Sequence, residues 1–111
     1  MSYRIFNIAI FFLLVCSFSF NSTAASFDCS KAKSKTEKLI CSDNELSKLD
    51  GDLGRLYKEA LHIPGMKAEQ KKWLTSLKKC GDAACLKVAY QERMDGISQE
   101  IIFCDRNGGC R

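Results

Sequence analysis

The chain has one histidine, one tryptophan and one proline among its 111 residues. Nucleophilic catalysis needs a base beside a Ser, Thr or Cys nucleophile, and His62 is the only histidine available for that role. It precedes Ile63-Pro64, where a helix would be broken, and a histidine in such a loop is typically solvated. The acids are scattered among lysines, and no glycine-rich phosphate loop follows a strand. The sequence therefore predicts a protein that is not an enzyme and binds no cofactor.

A large charge of one sign is also missing. The formal net charge is +4, from 17 Lys and Arg against 13 Asp and Glu, and the basic residues are dispersed. An excess this small does not predict a nucleic-acid partner. Hydrophobic residues make up 46% of the chain and charged residues 27%, which is the balance of a folded globular protein. A chain of this length has room for one domain.

Residues 1–25 have the pattern of a secretory signal peptide. Arg4 is followed by an apolar run over residues 5–20 and by small residues at 23–25 that suit a cleavage site after Ala25. The run is shorter than the roughly 20 apolar residues of a transmembrane helix. Val15 is too bulky to precede a lipid-modified Cys16. We therefore expect a mature chain without a transmembrane helix, in the periplasm or outside the cell.

The chain contains seven cysteines, and removal of residues 1–25 would leave six. An even number in an exported chain is what disulfide pairing requires, although six cysteines allow 15 connectivities. A zinc site is disfavoured by an oxidising compartment, a single histidine and the absence of a C-x2-C pair. Sequence proximity favours three local disulfides, namely Cys29–Cys41, Cys80–Cys85 and Cys104–Cys110. No metal site is expected.

No stretch alternates apolar and polar residues over the length of a strand, which favours an all-α fold. Helical spacing of apolar residues marks four segments, at 30–40, 44–61, 66–79 and from 83 onward, with Ser30 and Asp43 as candidate N-caps. The turn at 80–82 is short, so the third and fourth helices are predicted to form an antiparallel hairpin. Residues 104–111 are predicted to form a cysteine-containing loop. We expect one domain over residues 26–103, a small helical bundle built on that hairpin and stapled by disulfides.

Two charged residues lie where leucines would be expected. Asp50 interrupts the apolar stripe of the second helix, and Arg93 interrupts that of the fourth. A charge on an inward face is costly unless it is paired and hydrogen-bonded. We therefore predict an ion pair between Asp50 and Arg93 that fixes the helix register, with Glu37 as an alternative partner for Arg93.

Two charged surfaces are candidate binding sites. The start of the second helix is acidic, with Asp43, Glu45 and Asp52 near Asp50. The third helix is basic, with lysines at five positions: Lys67, Lys71, Lys72, Lys78 and Lys79. Such a face could attract anionic glycans or acidic proteins, although a plain solvated helix surface has the same composition.

In order and spacing, residues across most of the mature chain resemble the lysozyme-inhibitor LprI-like N-terminal domain family. They are Phe27-Asp28-Cys29, Glu37, Ile40-Cys41, Leu46, Leu49-Asp50, Tyr57, Gln70-Lys71-Lys72-Trp73-Leu74, Cys80, Cys85-Leu86, Tyr90 and Arg93. The resemblance implies a small, exported, disulfide-bonded helical domain of bacterial envelopes. This chain departs from the family at Leu77, where members often carry arginine, and in its tail after residue 103.

The resemblance also implies a candidate activity, because the family takes its name from a mycobacterial lipoprotein that inhibits lysozyme. An inhibitor would insert acidic or polar side chains into the glycan cleft, and the acidic start of the second helix is the candidate surface. Without residues 1–25 the chain has 16 basic residues against 13 acids, and a charge of +3 would mildly repel a cationic lysozyme. The alternative is an envelope module that binds an anionic glycan or protein through the basic face around Lys71 and Lys72, without inhibiting an enzyme. The sequence leaves the oligomeric state open.

Overall fold

The computed structural model describes residues 25–110. The predicted signal peptide therefore lies outside the described residues, apart from Ala25. Four α-helices and three short 3-10 turns form the described part, which contains no strand. The α-helices are α1 (Lys35–Ser42), α2 (Asn44–Glu59), α3 (Met66–Ser76) and α4 (Ala83–Arg106), and the 3-10 turns are Cys29–Lys31, Ala60–His62 and Leu77–Lys79. The predicted all-α class is confirmed.

The caps set where the first two helices begin. Asp28 accepts a hydrogen bond from the Ser30 backbone N–H at 2.9 Å and forms a 3-10 turn, so Ser30 does not start α1 as predicted. Ser34 is the N-cap of α1 instead, and its Oγ accepts from the Glu37 N–H at 3.1 Å. Asp43 caps α2 as predicted, accepting from the Leu46 N–H at 2.9 Å.

Contacts between side chains define the directions of the three longer helices. Trp73 of α3 packs on Tyr90 of α4, and Gln70, one turn earlier in α3, meets Arg93, one turn later in α4. The two helices therefore form the predicted antiparallel hairpin. Asp43, the N-cap of α2, contacts Lys87 of α4. Asp50, further along α2, contacts Tyr90, which is further along α4. This makes α2 and α4 parallel neighbours.

The core lies between α2 and the α3–α4 hairpin. Among its fully buried side chains, the largest are Tyr90, Leu46, Met66, Leu86, Ile97 and Cys104. Leu86, Tyr90, Ile97 and Cys104 follow one another on α4 at steps of four or seven residues, which places them on one face of an amphipathic helix. All buried hydrophobic residues of the described part lie between Ile40 and Cys104. None of the helices within residues 25–110 is long and apolar enough to cross a membrane.

All three predicted disulfides form, with Cα–Cα distances of 5.7 Å for Cys29–Cys41, 5.4 Å for Cys80–Cys85 and 4.9 Å for Cys104–Cys110. The prediction that residue 104 begins a loop is wrong, because α4 continues to Arg106 and buries Cys104. The helix continues because Ile97, Ile101 and Cys104 extend its core-facing stripe. Gly108 and Gly109, at φ +77° and +103°, then turn the chain so that Cys110 returns to α4.

Candidate binding site

A groove of about 740 Å³ lies between the N-terminal segment, α1 and the C-terminal end of α3. Its apolar lining includes Phe27, Ile40 and the half-exposed Leu74. Two lysines line it as well, Lys31 from the N-terminal turn and Lys78 from the turn after α3. A groove with apolar walls and a few polar groups is the usual form of a ligand site.

Asp50 and Tyr90 also line this groove, and their contacts define a polar cluster at the α2–α4 interface. The Tyr90 hydroxyl donates to Asp50 Oδ1 at 2.6 Å. Both the backbone N–H and the hydroxyl of Ser26 donate to Asp50 Oδ2, each at 2.6 Å. Asp50 is 8% exposed, so its carboxylate is held by hydrogen bonds in place of water. We call Ser26, Asp50 and Tyr90 the Asp50 cluster.

Tyr90 is fixed from two directions. Its ring is 1% exposed and meets the Trp73 ring edge-on, with centroids 4.9 Å apart and planes at 87°. Burial, and then the adjacent Asp50 carboxylate, raise the pKa of Tyr90 above its usual value. Tyr90 therefore remains a neutral hydrogen-bond donor to Asp50.

The predicted ion pair between Asp50 and Arg93 does not form among the described residues. Arg93 donates to Gln70 Oε1 at 3.0 Å and to Met66 Sδ at 3.4 Å and lies 3.6 Å from Glu69 Oε2, so all three partners belong to α3. Arg93 is three residues beyond Tyr90 on α4, about 60° away around the helix axis, and only the Tyr90 hydroxyl reaches Asp50 on α2. Asp50 instead accepts three hydrogen bonds from neutral groups, two from Ser26 and one from Tyr90.

The alternative pairing of Arg93 with Glu37 is also wrong. Glu37 Oε2 accepts from the Lys33 backbone N–H at 2.8 Å at the start of α1. Together with the Ser34 cap, this contact satisfies backbone donors in the manner of a capping box. Glu37 therefore has a local structural partner, and it also lines the groove.

The acids at the start of α2 are paired within the molecule. Lys87 of α4 lies 3.1 Å from Asp43 Oδ2 and 2.8 Å from Glu45 Oε2. Hydrogen bonds donated by the Leu46 N–H and then by Lys87 hold the pKa of Asp43 below its usual value, and those that Lys87 donates to Glu45 and Asp43 raise the pKa of Lys87. Asp52 accepts from Lys48 at 2.7 Å and from Arg55, and the Lys48 bond lowers the pKa of Asp52.

The lysines on α3 and on the turn after it have a different environment. Lys71 and Lys72 are exposed, as are Lys67, Lys78 and Lys79. None of the five forms an ion pair with a carboxylate of residues 25–110, since the one acid of α3, Glu69, faces Arg93. This basic face therefore keeps its charge available for a partner outside the chain.

Sequence reasoning missed three partners in these clusters. Lys87 carries no sequence signal, since its role depends on α2 and α4 being parallel. Tyr90 lies on the apolar stripe of the fourth helix, and the general need of a buried tyrosine for a hydrogen-bond partner is its only signal. Ser26 carries one signal in the sequence, which is its position directly after the predicted cleavage site.

Comparison with protein-family models, curated proteins and solved structures finds no match for this chain. The resemblance to the LprI-like family therefore rests on the quoted residues and stays a prediction.

Proposed function

We propose that this chain is an exported, non-enzymatic binding module that recognises an anionic glycan of the cell envelope through the basic face of α3. The observation that carries the proposal is the contrast between its charged surfaces. The acids at the start of α2 are bound by Lys87, Lys48 and Arg55, whereas the α3 lysines have no internal acidic partner in the described part. Unpaired surface charge is what electrostatic recognition requires.

The arrangement of the lysines favours a polymer over a small anion. Lys67 and Lys71 are one turn apart and share one side of α3, and Lys78 follows in the 3-10 turn after the helix. This row extends from Lys67 to the end of α3, about 14 Å at 1.5 Å per residue, and continues into the turn. Leu74, 51% exposed, lies between Lys71 and Lys78 and also lines the groove. An extended chain with repeated carboxylates could follow the row and place a sugar ring on Leu74.

Export is part of the same proposal. Three disulfides within one small chain are typical of proteins that fold in an oxidising compartment. The pattern of residues 1–25 supports secretion to the periplasm or beyond. An anionic envelope glycan would be accessible there.

Lysozyme inhibition is the competing hypothesis, and the pairing of the acids weighs against it. An inhibitor that used Asp43, Glu45 or Asp52 would first have to separate them from their cations. A charge of +3 on the mature chain would also slow its encounter with a cationic lysozyme.

The proposal is tested by titrating the oxidised mature chain with polygalacturonate, and with neutral dextran as the reference polymer. Trp73 is the single tryptophan and adjoins Lys72, so its fluorescence can report binding. We expect binding to polygalacturonate alone, with an affinity that falls as salt is raised. Replacing both Lys71 and Lys72 by Glu should weaken binding about tenfold, which corresponds to about 1.4 kcal/mol.

The matched control is the pair Lys35→Glu and Lys38→Glu on α1, which changes the net charge equally at two exposed positions that do not line the groove. It should bind nearly as well as the unchanged chain. Equal weakening by both pairs would show attraction to net charge alone and would contradict a site on α3. Inhibition of lysozyme in a cell-wall clearing assay, retained by the Lys71/Lys72 variant, would instead favour the competing hypothesis.

A further inference from the structure

We infer that Asp50 is the receptor for the new amino terminus of the mature chain: cleavage between Ala25 and Ser26 places the Ser26 α-ammonium on this buried carboxylate. The inference rests on the export part of the proposed function and not on glycan binding. Its geometry is already present, because the Ser26 backbone nitrogen lies 2.6 Å from Asp50 Oδ2.

The first argument is the charge of Asp50. A carboxylate that is 8% exposed needs compensation, and no lysine or arginine of the described part lies within 4 Å of it. Its donors are a tyrosine hydroxyl, a serine hydroxyl and one backbone N–H. Converting that N–H to an ammonium would supply the missing cation without moving an atom of the cluster. Hydrogen bonds between charged groups are about twice as strong as neutral ones.

The second argument is the space made for Ser26. Gly54 lies one turn after Asp50 on α2, and a Cβ at this position would be 3.2 Å from Ser26 Cβ. Glycine inside a helix costs up to about 1 kcal/mol relative to alanine, so its presence here needs a reason. Asp50 and Gly54 together form the binding site for Ser26 on α2. Asp50 accepts its hydrogen bonds, and Gly54 leaves room for its side chain.

The third argument is how the segment is anchored. Phe27 packs against the core, and the Cys29–Cys41 disulfide ties the following turn to α1. These contacts fix the chain directly after Ser26, so a terminus at Ser26 would lose little further freedom on binding. Ser26 itself lies at the surface, where a chain end can be accommodated.

The chemistry of the step is simple hydrolysis by a signal peptidase. Water adds across the Ala25–Ser26 peptide bond, the C–N bond breaks, and the products are a carboxylate on Ala25 and an ammonium on Ser26. Maturation therefore changes the Asp50 cluster from a charged acceptor with neutral donors to an ion pair. The processed chain should be more stable than any form in which the Ser26 nitrogen is uncharged.

The test begins with the protein exported from cells that express the full chain. Its intact mass should correspond to residues 26–111 with three disulfides, and a different first residue would overturn the inference. Next, a chain that begins at Ser26 is compared with the same chain acetylated at Ser26, which keeps an N–H donor but removes the charge. The chain from Ser26 contains the whole described core, which lies between Ile40 and Cys104.

At pH 6, the free amino terminus should raise the folding equilibrium constant about tenfold over the acetylated form, which is the effect of a one-unit rise in the α-amino pKa on folding. An α-amino group ordinarily titrates near pH 8, and Asp50 should raise its pKa in the folded chain. The advantage is therefore complete below about pH 8 and is lost as pH rises through the folded-state pKa. Equal stability of the two forms at both pH 6 and pH 9.5 would overturn the inference.

Besides Tyr90 of the cluster itself, the titratable groups that line the same groove are Glu37 of α1, Asp28 and Lys31 of the N-terminal segment, and Lys78 after α3. They are the same in both chains, so their titration cancels in the difference. Replacing Asp50 by Asn should remove the effect of acetylation. If that variant does not fold, the free and acetylated chains decide the question alone. Polygalacturonate binding is measured on both forms as well. Binding by two forms of equal stability would overturn this inference alone, and absence of binding would overturn the proposed function alone.

Discussion

At the scale of the residue, Asp50 shows how a buried charge can be held without a cationic side chain. Its inward position predicts a partner, and electrostatics favours an arginine for that role. Arg93 has its own partners on α3, and Asp50 is instead surrounded by donors from the N-terminal segment and α4. Tyr90 is the donor that connects α2 to the centre of the core.

The titration of Tyr90 gives a prediction at this scale. In a mature chain carrying Tyr57→Phe, Tyr90 is the sole tyrosine, because Tyr3 belongs to the predicted signal. Burial and Asp50 raise the pKa of Tyr90 in the folded chain. The protonated hydroxyl therefore contributes stability that is present below pH 10 and is lost progressively as pH rises above 10. Tyrosinate absorbance should appear only together with loss of the helical circular dichroism signal.

Ionisation of Tyr90 near pH 10 with the helical signal intact would contradict the buried hydrogen bond to Asp50. The companion variant Tyr90→Phe, with Tyr57 retained, identifies any absorbance change that belongs to Tyr57.

At the scale of the element, α2 combines a leucine stripe with a glycine that a helix would normally avoid. A glycine inside a helix can mark the close approach of a neighbour or a weak middle of the helix. For Gly54 the structure favours close approach, because Ser26 lies against it. In α4, Gly96 is also inside a helix, but nothing lies within 4 Å of the Cβ that a substitution would add.

These two glycines form a matched pair for mutation. Gly96→Ala should stabilise the chain by up to about 1 kcal/mol, since alanine is the better helix former and the space is open. Gly54→Ala should bring no such gain, because the added methyl group would push Ser26 away from Asp50. Chemical denaturation of both variants measures the difference. Equal stabilisation by the two substitutions would argue against close packing of Ser26 on Gly54.

At the scale of the whole molecule, three disulfides supplement a small core. A domain of this size buries a limited core, and each native bridge is worth about 2–4 kcal/mol. Three bridges together therefore equal most of the 5–15 kcal/mol by which a typical protein is stable. Cys29–Cys41 holds the N-terminal segment, Cys80–Cys85 closes the α3–α4 hairpin, and Cys104–Cys110 ties down the C-terminal end.

Reduction should therefore unfold the protein at 37 °C, because the remaining core does not offset the entropy regained by the open chain. The measurement is circular dichroism of the mature chain after reduction and alkylation, with an alkylated but unreduced sample as control. A cooperative thermal transition in the reduced sample would show that helix packing is sufficient without the bridges.

The sequence determined the features that depend on residues close together in the chain. Helix class and most helix limits follow from apolar spacing and from local caps such as Asp43. The three disulfides follow because each joins cysteines no more than 12 residues apart, where short loops favour local pairing. The α3–α4 hairpin follows from the short turn between its helices.

The tertiary structure decided what depends on how the helices are placed against one another. The parallel arrangement of α2 and α4 brings Lys87 onto Asp43 and Glu45, and it directs Tyr90, not Arg93, to Asp50. Ser26 and Asp50 are 24 residues apart, and no local pattern links them. The sequence alone identifies a buried charge that needs a partner. Which group meets it depends on the rotation of each helix about its axis, since neighbours on one helix can face different sides of the bundle.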